Sequence, residues 1–453
     1  MNFSIGQKLV KQKEFGKALN VFSYLEKTTD DQGVLFYLGI IYFELNDYDK
    51  SILYYEKFLE KQPDSVNALY NLATVKQSIG EIQTAKNIYL QLMKLDIKNI
   101  RPYYGIFILD PDSLTSKHFK NILEIKKNTK LNLYDLGIAN FILSKKEKKN
   151  KNYKNEIEYL KIFHSSIFNS NYSYNKSALF YYNKVINKFY DKIEIKTNDE
   201  KSNDDKELSP IFIVGLPRSG STLIESILKS SEEKLKSFGE CNVVNKSILE
   251  QIGPKIYTKD FDINKFQFQI DKKNLKDSIL KRYHEFNFDI NNKQIFIDKS
   301  LENIFNIEII LNIFPKAKFI HTYRNPVDSI LSIYQSMLPE LSWVHNLEDI
   351  LDYIDLYYKI LSYLKNKYPE AIMDLNLEKF SEFSEKFTKE IYKFCNLNWN
   401  DDSLKFYKRD DLFSKTLSFM QIRNKISKYD DKKYNSYVFL LHKFKNKYKW
   451  LKV

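Results

Sequence analysis

With 453 residues, 43% of them hydrophobic, the chain is long enough for two or three domains and too apolar to be disordered throughout. Lys and Arg number 71 against 58 Asp and Glu, a net charge of +13. The lysines are spread along the chain in no single stripe, and the wealth of Lys, Asn, Ile and Tyr fits an AT-rich codon bias, so no nucleic-acid groove is expected. Cys241 and Cys395 stand alone, and the six histidines are scattered, so neither a disulfide framework nor a bound metal is expected. The stretch Met1–Gly16 lacks a signal-peptide core. The longest apolar run, Leu35–Tyr42, is too short to cross a bilayer, and a cytoplasmic location is expected.

The first elements repeat. Leu38-Gly39, Tyr42, Ser51, Tyr55, Phe58 and Pro63 recur 34 positions on as Leu72-Ala73, Lys76, Ala85, Tyr89, Leu92 and Ile97. Asn46 and Gly80 occupy the matching turn, and Gly6, Leu9, Ala18, Phe22 and Leu25 form an earlier copy offset by 33. Small residues recur where helices touch and large ones where they fill the gap. The pattern resembles the tetratricopeptide repeat, with Lys76 in place of an aromatic residue. That resemblance implies stacked helix pairs over residues 1–100, with a concave groove able to hold a protein partner.

Residues 101–190 keep a helical pattern but lose the period, and are read as divergent helices. Residues 191–209 are polar, charged and unpatterned, and are read as an exposed linker. From residue 210 to 453 the pattern changes. Short apolar runs at 211–214, 294–297, 318–322 and 371–375 alternate with helical stretches, which predicts a mostly parallel sheet covered by helices. The fold class is therefore α + α/β, with helical repeats followed by a three-layer α/β domain.

The first strand of that domain runs into Gly215-Leu216-Pro217-Arg218-Ser219-Gly220-Ser221-Thr222 and then an apolar helix. A strand, a Gly-bounded turn and a helix N-terminus make an anion site. The two glycines are spaced as in a nucleotide P-loop, but Ser221 stands at the Lys position and Arg218 supplies the cation. Ser219, Ser221 and Thr222 add hydroxyl donors beside Gly220. An ATP-dependent P-loop enzyme needs the Lys and a magnesium ion, which disfavours a kinase. The segment resembles the 5'-phosphosulfate loop of sulfotransferases.

Downstream lies Arg324-Asn325-Pro326, with Ser332 eight residues after Arg324, about two helical turns away. Arg offers a planar fork suited to phosphate, and Ser a short donor. This segment is similar to the sulfotransferase 3'-phosphate site, with Asn325 in place of Asp. Together the two sites imply 3'-phosphoadenosine-5'-phosphosulfate as donor.

Further matches follow the same resemblance, to the sulfotransferases that carry tetratricopeptide repeats and to the tyrosylprotein sulfotransferases. Glu240, in Phe238-Gly239-Glu240, matches the catalytic base. Lys299, in Asp298-Lys299-Ser300, matches the lysine beside the transferring group, although Leu301 replaces the usual Pro; Asn303 is kept. Ser418 matches a serine at the sulfonate or 5'-phosphate end, and Lys433, before Tyr434, a basic–aromatic pair at the 5'-phosphate. Glu378 matches a residue of structural role.

The expected function is transfer of a sulfuryl group to an acceptor hydroxyl. The family likeness favours a protein tyrosine, and glycan, lipid and small-molecule hydroxyls stay open. Two alternatives remain: a non-catalytic tetratricopeptide binding protein with a degenerate nucleotide fold, and a P-loop kinase. Retention of Arg218, Glu240, Lys299, Arg324 and Ser332 together argues against decay. The sequence does not determine the oligomeric state.

Overall fold

The computed structural model describes residues 2–188, 193–196, 208–231, 235–256, 261–265, 267–288, 295–409 and 411–453. They form two compact units. The first joins Met1–Ser170 to Glu285–Asn287 and Asp411–Met420. The second holds Asn171–His284, Phe288–Asp410 and Gln421–Val453. Of the expected linker, residues 191–192 and 197–207 lie outside the described residues, while Ile193–Lys196 forms a strand.

The first unit is helical: α1 Phe3–Lys11, α2 Phe15–Thr28, α3 Gly33–Glu44, α4 Tyr48–Lys61, α5 Val66–Ile79, α6 Ile82–Leu95, α7 Ile100–Leu109, α8 Ser116–Lys127, α9 Leu133–Lys149 and α10 Tyr153–Ser170. Helices α1 to α6 are the three pairs that the period predicts. Asp47 starts α4 by accepting the Lys50 N–H at 3.2 Å. Gly80 ends α5 with φ +94°, the left-handed conformation that favours glycine.

The small–large rule of the repeat is a packing rule. A Cβ at Gly39 would stand 2.7 Å from the Tyr55 ring, so α3 and α4 touch there only through glycine. The same holds between α7 and α6, where a Cβ at Gly105 would lie 2.6 Å from Tyr89. Lys76, at the position of the missing aromatic, pairs with Glu81 at 3.1 Å.

The second unit carries a five-stranded sheet in the order β3-β5-β2-β6-β7: β2 Ile211–Gly215, β3 Lys236–Ser237, β5 Phe296–Asp298, β6 Lys318–Tyr323 and β7 Ile372–Asn376. Every pairing in it is parallel. All five residues of β2 are buried, as expected of a central parallel strand covered on both faces. The expected strands fall in place, except that Gln294 lies outside the described residues. A separate parallel ladder pairs β1, Ile193–Lys196, with β4, Phe268–Asp271.

From β2 the chain moves to one side, toward β3 and β5. It then crosses to β6 on the other side. The switch in strand order therefore falls at β2, and the carboxyl ends of β5, β2 and β6 surround it. Ligands of open α/β sheets bind at such a point.

Candidate active site

The loop after β2 is shaped by close approach. A Cβ at Gly215 would lie 2.3 Å from the Thr322 carbonyl oxygen on β6, so no side chain fits. The Ser219 hydroxyl donates to the Leu216 carbonyl at 2.7 Å and stands 2.7 Å from Thr322 Oγ1. Ser219 therefore fixes the turn to β6. Gly220, with φ +91°, precedes the helix Ser221–Leu228, whose first residues Ser221 and Thr222 are buried. The backbone N–H groups of this turn stand at the positive end of the helix dipole.

Arg218 projects from the turn with φ +68°, a conformation uncommon for a side-chain-bearing residue. Burial lowers the pKa of its guanidinium from the ordinary value, and the positive charge of Arg324 lowers it further; Tyr434 opposes both. Arg324 leaves the end of β6 and is buried. Its Nη2 donates to the Asp328 carbonyl at 3.0 Å, and its Nε is buried without a hydrogen-bond partner. Its guanidinium lies 5.8 Å from the Tyr434 ring centroid. An anion beside Arg218 would offset the positive charge of Arg324 that it feels.

The helix Pro326–Tyr334 begins next to Arg324. Asn325 replaces the expected Asp and still caps this helix, since its Oδ1 accepts the Val327 N–H at 2.9 Å. Its own N–H donates to Glu378 at 2.6 Å, which gives Glu378 a structural place. Ser332 is buried on this helix. Lys433 is exposed, with its Nζ 5.6 Å from the Tyr434 ring centroid, so the Lys433–Tyr434 pair sits on the Arg324 side of the sheet. Ser418 lies in Asp411–Met420, the segment that packs with the helical repeats, where its N–H donates to Thr416 Oγ1 at 3.3 Å.

A second group forms at the ends of β3 and β5. The Phe238 N–H donates to the Ile297 carbonyl, and the Lys299 N–H to the Gly239 carbonyl, both at 3.0 Å. These bonds carry Glu240 alongside Lys299. Lys299 is buried, and its Nζ donates to Glu240 Oε1 at 2.7 Å and lies 3.6 Å from Glu225 Oε2. Burial opposes its charge, but the two carboxylates outweigh burial and hold its pKa above the usual lysine value. Glu240 itself is half exposed.

Glu225 is a residue that the motifs do not single out. It is the one charged residue in the apolar run Leu223–Leu228, one turn past Ser221 on the same helix face, and that isolation is the available signal. The Ser237 hydroxyl also donates to it, at 2.5 Å.

Asp298 is the anchor behind Lys299. It is buried and accepts from the Tyr283 hydroxyl at 2.6 Å, the Ser300 N–H at 2.8 Å and Cys241 Sγ at 3.2 Å. Burial, followed by the Asp298 charge, pushes the Cys241 thiol well above its ordinary value, which leaves it a poor nucleophile. With Leu301 in place of Pro, the chain still forms a tight 3-10 turn over Leu301–Asn306, and Asn303 donates to Asp298 at 3.3 Å.

His321, on β6, would be the next candidate base if Glu240 were not it, and it has both ring nitrogens engaged. Nδ1 stands 2.8 Å from Asp374 Oδ1, and Nε2 bonds the Tyr357 hydroxyl. Burial lowers its pKa below the ordinary histidine value. Among the described residues no cluster of three His, Cys, Asp or Glu is arranged to hold a metal ion, and no helix is long and apolar enough to cross a membrane.

Parts of the chain match known proteins. Residues 210–401 match the sulfotransferase family, and residues 33–65 and 54–87 match tetratricopeptide repeats. An uncharacterized protein of Aquifex aeolicus (strain VF5) is 26% identical over 398 residues, 83% of this chain and 49% of its own length. The uncharacterized protein ycf37 of Guillardia theta is 27% identical over 103 residues, 21% of this chain and 58% of its own. The chain thus spans about half the length of the curated relatives it matches. Among solved structures, the sulfotransferase domain of the Synechococcus PCC 7002 olefin synthase gives a TM-score of 0.36 at 17% identity, over 53% of this chain and 92% of that one. The sulfotransferase domain from the curacin biosynthetic pathway gives 0.34 at 17% identity, over 51% and 92%. The chain is thus similar to tetratricopeptide repeats within residues 33–87 and to the sulfotransferase family over residues 210–401.

Proposed function

We propose that this domain transfers the sulfuryl group of 3'-phosphoadenosine-5'-phosphosulfate to an acceptor hydroxyl, with a protein tyrosine as the acceptor class. The observation that carries the reading is the pair Arg218 and Arg324, two mutually repelling cations on neighbouring strand ends beside a helix N-terminus. A donor with phosphate at both ends of its adenosine suits that pair. Arg218, Ser221 and Thr222 would hold the 5' end with the turn's N–H groups. Arg324 and Ser332 would hold the 3'-phosphate. Ser219 and Gly220 would shape the cradle, and Lys433 would add a contact beside Tyr434.

The reaction needs positioning and charge stabilisation more than covalent chemistry. The acceptor oxygen bonds to sulfur as the bond from sulfur to the 5'-phosphate oxygen breaks. The electron pair leaves on that phosphate oxygen, where Lys299 offsets the charge. The acceptor proton passes to Glu240. Lys299 holds Glu240 in the unliganded chain, and a leaving phosphate competes for the same cation. The base is thus released from its partner as the donor arrives. A phenol suits a carboxylate base better than an alkanol does, because less proton transfer is needed.

The test is calorimetry of the full chain with 3'-phosphoadenosine-5'-phosphate in the absence of magnesium. Radiolabelled donor is then offered to tyrosine peptides, glycans and lipids. Saturable binding followed by label on the peptides supports the reading. No binding of the bisphosphate removes it, and magnesium-dependent binding of ATP in its place would favour a kinase.

A further inference from the structure

The helix Ser221–Leu228 buries Ile224, Ile227 and Leu228 in the core, which leaves Glu225 on the same face as Ser221, four residues back. The Glu225 side chain is only 13% exposed, and both of its oxygens are engaged. The Ser237 hydroxyl, on β3, donates to Oε1 at 2.5 Å, and the same hydroxyl oxygen accepts the Gly239 N–H at 3.2 Å. A Cβ at Gly239, where φ is +62°, would stand 3.9 Å from Oε1. Oε2 lies 3.6 Å from the Lys299 ammonium. Glu225 therefore reaches both members of the Lys299–Glu240 pair: the lysine directly, and the turn that carries Glu240 through Ser237.

The two carboxylates on Lys299 are unlike. Glu240 bonds the ammonium at 2.7 Å but is 48% exposed, so it is free to turn toward an acceptor. Glu225 is enclosed and anchored to β3. Two carboxylates on one ammonium carry one negative charge in excess, and the trio becomes neutral when Glu240 takes a proton. A buried ammonium whose sole counter-ion was discharged at that moment would be driven to lose its own proton. Burial does oppose the charge of Lys299, and Glu240 and then Glu225 outweigh it. The neighbouring Asp298 is engaged elsewhere, by Tyr283, Ser300 and Cys241.

Resting on the sulfuryl-transfer reading, we propose that Glu225 is a positioning residue for that reaction: the permanent counter-ion of Lys299, which keeps the ammonium charged and in place for the leaving phosphate while Glu240 turns away and takes the acceptor proton. The proton passes from the acceptor hydroxyl to a Glu240 oxygen, and Lys299 keeps its own. One carboxylate changes charge during the reaction, and the other is built to stay as it is.

Glu240→Gln stands in for the base that has taken its proton, being of the same size and uncharged. In this background, calorimetry of the full chain with 3'-phosphoadenosine-5'-phosphate compares pH 7 with pH 9, a range in which the phosphates of the probe stay ionised. In Glu240→Gln alone, Glu225 holds the Lys299 proton, and affinity should change by less than about two-fold. In Glu225→Gln/Glu240→Gln no carboxylate remains beside the buried lysine, its pKa drops by up to several units, and affinity should fall about five-fold or more between the two pH values. Glu225→Asp in the same background restores the charge but not the volume, and should flatten the profile again, which a loss of packing would not explain. Adding Lys299→Met to the double variant should abolish the fall. Equal profiles with and without Glu225, or a fall that survives Lys299→Met, overturn the inference and leave the sulfuryl-transfer reading standing. If the double variant does not fold, Ser237→Ala in the Glu240→Gln background keeps the charge and loses its anchor; it should give a smaller fall, and a flat profile there overturns the inference. Failure of the wild-type chain to bind the bisphosphate overturns the sulfuryl-transfer reading, and the inference with it.

Discussion

Arg324→Ala separates donor recognition from folding. In the unliganded chain the guanidinium makes one backbone bond, to Asp328 at 3.0 Å, leaves a buried Nε without a partner, and adds to the charge that disfavours Arg218. Removing it loses one ordinary bond and relieves a repulsion of like charges. The unliganded melting temperature should therefore change little. The bound state loses a charge-assisted fork on a phosphate, worth about 1.5–3 kcal/mol. That is a fall in affinity for 3'-phosphoadenosine-5'-phosphate of roughly 10–150-fold. Two readouts follow. Calorimetry gives the affinity directly. Thermal shift gives it through linkage: a ligand at about 100 times its Kd stabilises wild type by about 2.7 kcal/mol, and a variant weakened about 100-fold gains only about 0.4 kcal/mol at the same concentration. Arg324→Lys keeps the charge without the fork and should fall between. Affinity of Arg324→Ala within two-fold of wild type would refute the placement of the 3'-phosphate.

Glu240→Gln should lower turnover by about 10²–10⁴-fold while bisphosphate affinity holds, measured with labelled donor and the acceptor that the pools reveal; near-normal turnover removes Glu240 as the base. Lys299→Met strands Glu225, which is mostly buried, and should cost about 3–5 kcal/mol by urea denaturation. Adding Glu225→Gln should recover part of that loss, and a double variant no better than the single would show that Glu225 is not the group left unpaired. Burial holds His345 down to about 4, so the unfolded chain takes up its proton first as pH falls. Its contribution is complete above about pH 6.5 and is lost as pH falls toward 4, by up to roughly 3 kcal/mol. Urea midpoints at pH 7 and 4.5 should therefore converge in His345→Gln relative to wild type, and an unchanged gap refutes the assignment.

Signals in the sequence are legible wherever neighbours in sequence are also neighbours in space. Gly215 and Gly220 mark a turn whose demands are local, and the period through Gly39, Tyr55 and Tyr89 reports helix contacts that recur at short range. Asn325 departs from the family pattern but still caps its helix, because an amide oxygen accepts N–H groups as a carboxylate does. What stays hidden depends on long-range pairing. Nothing near Tyr182 announces the bond of its hydroxyl to Glu302, and nothing in the polar stretch before Ile211 announces that Ile193–Lys196 pairs with Phe268–Asp271. Glu225 is easily overlooked because a single Glu in a helix reads as solvated until Lys299 and Ser237 are placed beside it. Ser418 matches by motif alone, which carries no information about the unit its segment packs with.

That segment has a consequence for how the chain is made. Asp411–Met420 docks on the repeats through the Ser414 N–H to the Ser78 carbonyl at 3.1 Å, Phe413 against Tyr48 at 5.0 Å, and the Lys415 ammonium 4.4 Å over Phe43. The helices α3 to α5 leave the ribosome well before the residues that cover this part of their surface, since Lys415 follows Glu44 by 371 positions. Over that interval the repeats wait with Phe43 and Tyr48 uncovered, a period in which a nascent-chain chaperone has an aromatic surface to hold. The same order makes truncation costly: a chain stopped between Ser170 and Asp411 keeps all the repeat helices and loses the strip that seals them.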